Sequence, residues 1–339
     1  FSRRAFENGK FDLTAAESIM DIIGAESQQA LTAAQAAKEG ATFSAIEKIR
    51  ESITAAASSI SAWVDFPDED VPAVNGADLR AELSESLVRL NRIIATSDRG
   101  RMLRDGVNCV IAGKPNVGKS TVMNLLARYS RSIISDIPGT TRDAVEERID
   151  IGGVILNITD TAGIRETSDP IESIGVEITR KKLESADLII AVFDSSRKPE
   201  DEDRELISLI RSRKAIAVFN KSDLEPEFGC TDLPDNISAI TISAKFDEPD
   251  RLEQAIYSTL KIDSLDLSSG IIANERQLNC ARKAAADIAD AIQTLDDGFT
   301  LDAVGICISD AVAALCELTG EKASETVIDD VFNRFCVGK

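Results

Sequence analysis

At 339 residues the chain has room for two or three domains, and 43% apolar with 28% charged content is that of an ordinary soluble protein with a real core. A net charge of −20, with acid in excess both within residues 106–262 and in the flanks, argues against a stand-alone nucleic-acid binder, which needs a basic face. Histidine is absent and the six cysteines (Cys109, Cys230, Cys280, Cys307, Cys316, Cys336) form no C-x-x-C pair, which argues against zinc sites and imidazole catalysis and reads as reduced, packed thiols of a cytoplasmic protein.

The chain opens at Phe1 with neither an initiator methionine nor a charged-then-apolar leader, so a fragment without a signal peptide is expected. Residues 13–38 and 40–63 carry helical spacing, with a capping box expected from Thr14 to Glu17 and Gly40 separating the two helices. An acidic, turn-rich break from Asp65 to Pro72 follows, and about 25 residues from Ala77 return to helical spacing.

From Val107 the pattern changes. Apolar runs at Val107 to Ala112, Val154 to Thr159, Asp187 to Phe193, Ala215 to Phe219 and Ala239 to Ile242 alternate with amphipathic stretches, which predicts a mostly parallel sheet wrapped by helices. The longest apolar run beside a motif, Leu188 to Phe193, is strand length, so no membrane span is expected. After Ser268-Ser269-Gly270, three further helical stretches are predicted at 271–296, 299–318 and 324–335.

The chemistry sits at the strand ends. Gly113 to Ser120 reads GKPNVGKS, between the first strand and a predicted helix Lys119 to Ala127. In such a loop, glycines let backbone N–H groups close around phosphate, the lysine meets the outer phosphates and the hydroxyl holds Mg²⁺. Asp160-Thr161-Ala162-Gly163, Asn220-Lys221-Ser222-Asp223 and Ser243-Ala244-Lys245 follow in that order. They select the base: a carboxylate at Asp223 accepts two hydrogen bonds from the N1–H and exocyclic amine of guanine, a pair that adenine lacks. Ser120 and a threonine of Pro138-Gly139-Thr140-Thr141-Arg142-Asp143 are the expected Mg²⁺ ligands, with Asp160 behind a coordinating water. Ile164 stands where many small GTPases carry the glutamine that orients the attacking water, so another group or a partner must organise hydrolysis.

The loop with Asn116, the switch Asp136-Ile137-Pro138-Gly139-Thr140-Thr141-Arg142-Asp143, the turn Asp65-Phe66-Pro67-Asp68-Glu69 and the closing Phe335-Cys336-Val337-Gly338-Lys339 resemble the MnmE (TrmE) tRNA-modification GTPases over essentially the whole chain. The family's amino-terminal folate-binding, dimerising domain is the part expected to be missing. The resemblance implies GTP hydrolysis promoted by K⁺ as two G domains pair in a homodimer. It further implies modification of the tRNA wobble uridine at C5 together with an FAD-dependent MnmG-type partner, with no membrane. By matching position, K⁺ would meet Asn116, Ser135, Ile137 and Thr140, and Mg²⁺ would meet Ser120 and Thr141. The GTP contacts would be Gly113, Asn116, Val117, Gly118, Lys119, Ser120 and Thr121; Ser135, Asp136, Ile137, Pro138, Gly139, Thr140 and Thr141; Asp160, Thr161, Ala162 and Gly163; Asn220, Lys221 and Asp223; and Ser243, Ala244 and Lys245. Glu172 would orient the hydrolytic water, Cys336 would act in tRNA modification, and Lys10 and Lys339 would touch a 5-formyl- or methylene-tetrahydrofolate bound in the full-length protein.

The expected architecture is therefore an α/β Ras-like G domain, with a mostly parallel sheet and a phosphate loop, inserted into an all-α helical domain. Its boundaries are 1–105 for the first helical part, 106–263 for the G domain and 264–339 for the second helical part with its Cys-x-Gly-Lys tail. Two competing readings stand beside it. One is an Era- or Der-like GTPase of ribosome assembly, which would carry a basic RNA-binding domain after the G domain. The other is a GTP-gated scaffold with negligible turnover.

Overall fold

The computed structural model describes residues 2–65, 73–129, 147–160, 183–230, 233–234, 237–261 and 271–333. Two compact units result: Phe1–Arg104 with Asp266–Lys339, and Asp105–Leu265. In chain order the elements are α1 (Ser2–Glu7), α2 (Leu13–Gly24), α3 (Gln28–Lys38), α4 (Ala41–Asp65), α5 (Gly76–Ile94), α6 (Ser97–Asp105), β1 (Val107–Ala112), α7 (Lys119–Tyr129), β2 (Glu147–Ile151) and β3 (Val154–Asp160). There follow β4 (Leu188–Asp194), α8 (Asp201–Ile210), β5 (Ala215–Asn220), β6 (Ser238–Thr241), α9 (Asp250–Leu260), α10 (Glu275–Asp296), α11 (Leu301–Thr319) and α12 (Glu325–Asn333). Among the described residues no helix is long and apolar enough to cross a membrane.

The helical unit is held by apolar stripes at helical spacing. Ile46, Ile49, Ile53 and Ile60 of α4 meet Leu83 and Leu90 of α5, Ala281, Ala284 and Ile288 of α10, and Ile308 and Leu315 of α11, all buried. Each such isoleucine or leucine contributes about 1.5–3 kcal/mol relative to exposure, and the alanines of α10 let neighbouring backbones come close. A smaller cluster joins the two chain ends: Leu13 and Ala16 of α2 pack with Val331 and Phe332 of α12, and Phe6 lies 5.8 Å from the Phe332 ring centre.

Two local readings are corrected here. The helix expected over 13–38 breaks after Gly24, because the Ser27 hydroxyl accepts the Ala30 N–H at 3.1 Å and starts α3 afresh. The capping box from Thr14 to Glu17 does not form. Asp12 caps α2 instead, accepting the Ala15 N–H at 3.0 Å, while Glu17 pairs with Arg276 at 2.7 Å. A carboxylate already at the N-cap satisfies the helix end, and the part-buried guanidinium claims Glu17.

In the nucleotide unit the sheet order is β2-β3-β1-β4-β5-β6, parallel throughout except that β2 runs antiparallel to β3. The central strands β4 and β5 are buried at every position, as a sheet covered on both faces requires. Phe193, Phe219 and Phe228 form one aromatic cluster with ring centres 5.0 to 5.6 Å apart. Chain order reverses at β1, with β3 on one side and β4 on the other. The crevice at the carboxyl end of β1 is therefore where an open α/β sheet takes its ligand.

Candidate functional site

Three strands of this sheet end in polar residues: Asp160 on β3, Asp194 on β4 and Asn220 on β5. The register sets Asp194 beside Asn220 and Asp160 beside Ile111 of β1, whose chain continues directly into the loop Gly113 to Ser120. That loop demands glycine at two points. At Gly113 (φ +151°) a Cβ would sit 2.3 Å from the Val192 carbonyl oxygen, and at Gly118 (φ +102°) it would sit 2.2 Å from the Asn220 amide nitrogen. Asn116, also left-handed at φ 64°, occupies a conformation that asparagine tolerates better than most residues.

Lys119 opens α7, where unpaired N–H groups and the helix dipole favour an anion. Its buried ammonium donates to the Gly113 and Lys114 carbonyls at 3.0 and 2.9 Å, curling the loop around one centre. Ser120 and Thr121 are exposed on the same first turn. A second lysine anchors the loop from outside: Lys114 reaches Glu200 at 2.8 Å and Asp203 at 2.7 Å at the start of α8. Burial works against that ammonium, but the two carboxylates outweigh it and hold its pKa above the ordinary lysine value.

The base-reading segments are tied to the phosphate loop by Asn220. Its buried amide donates to the Val117 carbonyl at 2.8 Å and accepts the Ala244 N–H at 2.9 Å, so both of its polar atoms are consumed in joining three segments. Asp223 is exposed and accepts the Ser243 hydroxyl at 2.6 Å, while the Ser243 N–H goes to Asp247 at 2.7 Å. The carboxylate is thus oriented and keeps acceptor capacity for a pair of donors. Lys245 places its ammonium 5.0 Å from the ring centre of the exposed Phe246, within cation–π reach.

Lys221, left-handed at φ 65°, extends back over the loop and donates to the Asn116 carbonyl at 2.8 Å and to Asp194 Oδ2 at 2.6 Å. Asp194 is buried, and its Oδ1 accepts the Ser196 N–H at 3.1 Å and hydroxyl at 2.6 Å. Burial alone would raise this carboxyl; the bonds from Lys221 and Ser196 reverse that and hold it below the usual aspartate range.

Gly113, Asn116, Val117, Gly118, Lys119, Ser120, Thr121, Asn220, Lys221, Asp223, Ser243, Ala244 and Lys245 thus come together in one unit, at or beside one sheet end. Ser135, Asp136, Ile137, Pro138, Gly139, Thr140, Thr141, Thr161, Ala162, Gly163, Glu172, Cys336 and Lys339 lie outside the described residues. Lys10 stands exposed just after α1. Sequence reasoning passed over Asp194, Ser196 and the Lys114 anchor. A signal for Asp194 was present: like Asn220, it is the first polar residue after an apolar strand run.

A family model described as the MnmE helical domain matches residues 13–336. The tRNA modification GTPase MnmE of Finegoldia magna is 37% identical over 100% of this chain and 75% of its own length. Those of a Cyanothece species and of Acaryochloris marina are 38% and 39% identical over the same shares. Among solved structures, the G domain of the Thermotoga maritima FeoB iron transporter aligns at 25% identity over 45% of this chain and 98% of that chain, with a TM-score of 0.32.

Proposed function

Because this chain belongs to the MnmE family of tRNA-modification GTPases, and is a GTP hydrolase of tRNA modification, we propose that its turnover is switched on by K⁺ as two G domains pair within a homodimer. The modified position is the wobble uridine C5, acted on in the cytoplasm jointly with an FAD-dependent MnmG-type partner. The observation that carries the nucleotide half of this reading is Asn220, which binds the phosphate loop through Val117 and the Ser243 loop through Ala244, so that phosphate and base sites are built as one piece.

In this reading Lys119 and the N–H groups at the start of α7 hold the outer phosphates, and Asp223 reads guanine. Ser120 and Thr141 would hold Mg²⁺, which supplies Lewis acidity at the phosphate oxygens. The residue at Asn116 suits a monovalent cation. Its carbonyl accepts from Lys221, and its exposed side chain carries an amide oxygen, a hard donor of the kind such an ion takes. Ser135, Ile137 and Thr140 would complete that set. K⁺ bound there supplies the extra positive charge that a lone phosphate loop lacks. Glu172 orients the attacking water in place of the glutamine that Ile164 replaces, Cys336 serves the modification chemistry, and Lys10 and Lys339 contact tetrahydrofolate in the full-length protein.

A ribosome-assembly role would call for a basic domain after the nucleotide unit, whereas residues 271–333 form acidic helices. The deciding experiment is multiple-turnover phosphate release at saturating GTP in K⁺ and in Na⁺ over a range of protein concentrations. Faster release per molecule at higher concentration, in K⁺ only, is the expected result. Equal rates in both salts would remove the cation, and negligible release in either would leave a scaffold.

A further inference from the structure

We propose that Asp194 is a positioning residue for the cation site: acting through Lys221, it holds the Asn116 peptide so that the Asn116 side chain points at the phosphates. This rests on the K⁺ reading above and adds to it a residue that neither touches nucleotide nor binds metal. The chain of contacts is short. Asp194 Oδ1 is fixed by two donors from Ser196, at 3.1 and 2.6 Å, and Oδ2 takes the Lys221 ammonium at 2.6 Å. The same ammonium donates to the Asn116 carbonyl at 2.8 Å.

Both ends of that bridge are in the left-handed region, Asn116 at φ 64° and Lys221 at φ 65°, a conformation that costs a non-glycine residue energy and persists only when its surroundings hold it. Asn116 is exposed, so packing does not orient it; the bond from Lys221 to its carbonyl does. Lys221 in turn has a long, flexible stem that would wander without an anchor. Asp194 is buried beside Asn220 in the sheet register, so it is rigid where the lysine is not. Arg197, 3.7 Å from Oδ2, is mostly exposed and is a weak substitute for that anchor.

The test compares wild type with Asp194→Asn, which keeps the size of the side chain and removes the charge that holds Lys221. The K⁺ concentration for half-maximal G-domain pairing, measured by sedimentation with GDP and aluminium fluoride, should rise roughly tenfold, the scale at which outer partners tune a metal site. The dissociation constant for fluorescent GDP, measured without K⁺, should change less than threefold. In ¹⁵N spectra of the GDP complex, the Asn116 side-chain and backbone amide signals should shift and broaden.

An unchanged half-saturating K⁺ with unmoved Asn116 signals overturns the proposal. If wild-type pairing is indifferent to K⁺ and Na⁺, the cation reading fails by itself, and the Asn116 signals alone then decide whether Asp194 positions that residue. Should Asp194→Asn not fold, Ser196→Ala removes one donor to the same carboxylate and should move both readouts in the same direction by a smaller factor. No movement in that folded variant counts against the proposal equally.

Discussion

The two units bury their polar groups for different ends. In the nucleotide unit four buried polar side chains, Lys119, Asp194, Asn220 and Ser243, stand at the carboxyl ends of strands or just beyond them, and their bonds shape a site. In the helical unit a part-buried polar knot sits at a junction of helices. Arg276 of α10 pairs with Glu17 of α2 at 2.7 Å and donates to the Glu317 and Leu318 carbonyls, both at 2.9 Å, while Gln277 donates to Glu17 at 2.7 Å. The first arrangement spends buried polarity on geometry that a ligand can read. The second spends it on register, fixing where an early helix meets late ones that apolar stripes alone would let slide.

The strongest way to break that contrast is Arg276→Ala. It strands Glu17 in a half-closed site and removes donors from two carbonyls, so the helical transition should lose about 3–5 kcal/mol in urea unfolding. Burial opposes the charge of Arg276, yet the bonds and charge of Glu17 outweigh it and raise the guanidinium pKa, so the arginine keeps its charge. Glu17→Gln, which keeps acceptor and shape, should cost less. A loss under about 1 kcal/mol for Arg276→Ala would mean that the apolar stripes fix register unaided. Next in size is Asn220→Ala, which leaves the Val117 carbonyl and Ala244 N–H unpaired. We expect about 2–4 kcal/mol from the nucleotide unit's transition and roughly a hundredfold loss in fluorescent GDP affinity. If both variants move one shared transition equally, the division into two units does not extend to their unfolding.

Most of the sheet was legible because buried parallel strands read as apolar runs: Val107–Ala112 was found to the residue, and β3, β4 and β5 within a residue or two. Strand β2, ERIDI, was missed. It is an antiparallel edge strand whose outward face carries charge, so only two of its five residues are buried, too few for a run to show. Helix α8 was passed over for a related reason: its first turn, Asp201 to Asp203, reads as an acidic loop, although acids there complement the helix dipole. The site was legible where function imposes a residue type, as at Gly118, Lys119, Asn220 and Asp223. Asp194 showed only as the polar residue that ends an apolar run, and Ser196 not at all, because their bonds hold another residue. That role depends on which strands lie side by side, a fact of topology that no spacing along the chain encodes.

A smaller effect sharpens the comparison from the helical side. Asp287 of α10 has a buried Oδ2 without a hydrogen-bond partner among the described residues, and desolvation, with Asp310 and Asp290 nearby and Lys283 opposing, raises its pKa. A raised folded pKa means that the native state prefers the proton, so the charged form costs stability at neutral pH and the cost vanishes as pH falls through the folded value. Asp287→Asn should therefore stabilise the helical transition by about 1 kcal/mol at pH 7 and give no advantage at pH 3. An advantage equal at both values would trace the gain to packing and not to charge.

The least perturbing comparison uses the cysteines, where nothing is mutated. Burial in β1 pushes the Cys109 thiol up to about 12, so at pH 8 it is both inaccessible and un-ionised. Among the described cysteines Cys230 is exposed and not packed as expected, so it should be alkylated by iodoacetamide before the others described, with half-buried Cys307 slower. Peptide mass spectrometry over time gives the order. Because alkylation of Cys109 requires β1 to leave the sheet, its rate measures opening of the strand that carries the phosphate loop. Added GDP should slow Cys109 further and leave Cys307 unaffected, since only the nucleotide unit binds the ligand. Cys109 reacting as fast as Cys230 would place β1 among segments that open locally without unfolding the unit, and the rigidity assigned to the strand ends would then belong to the bound state alone.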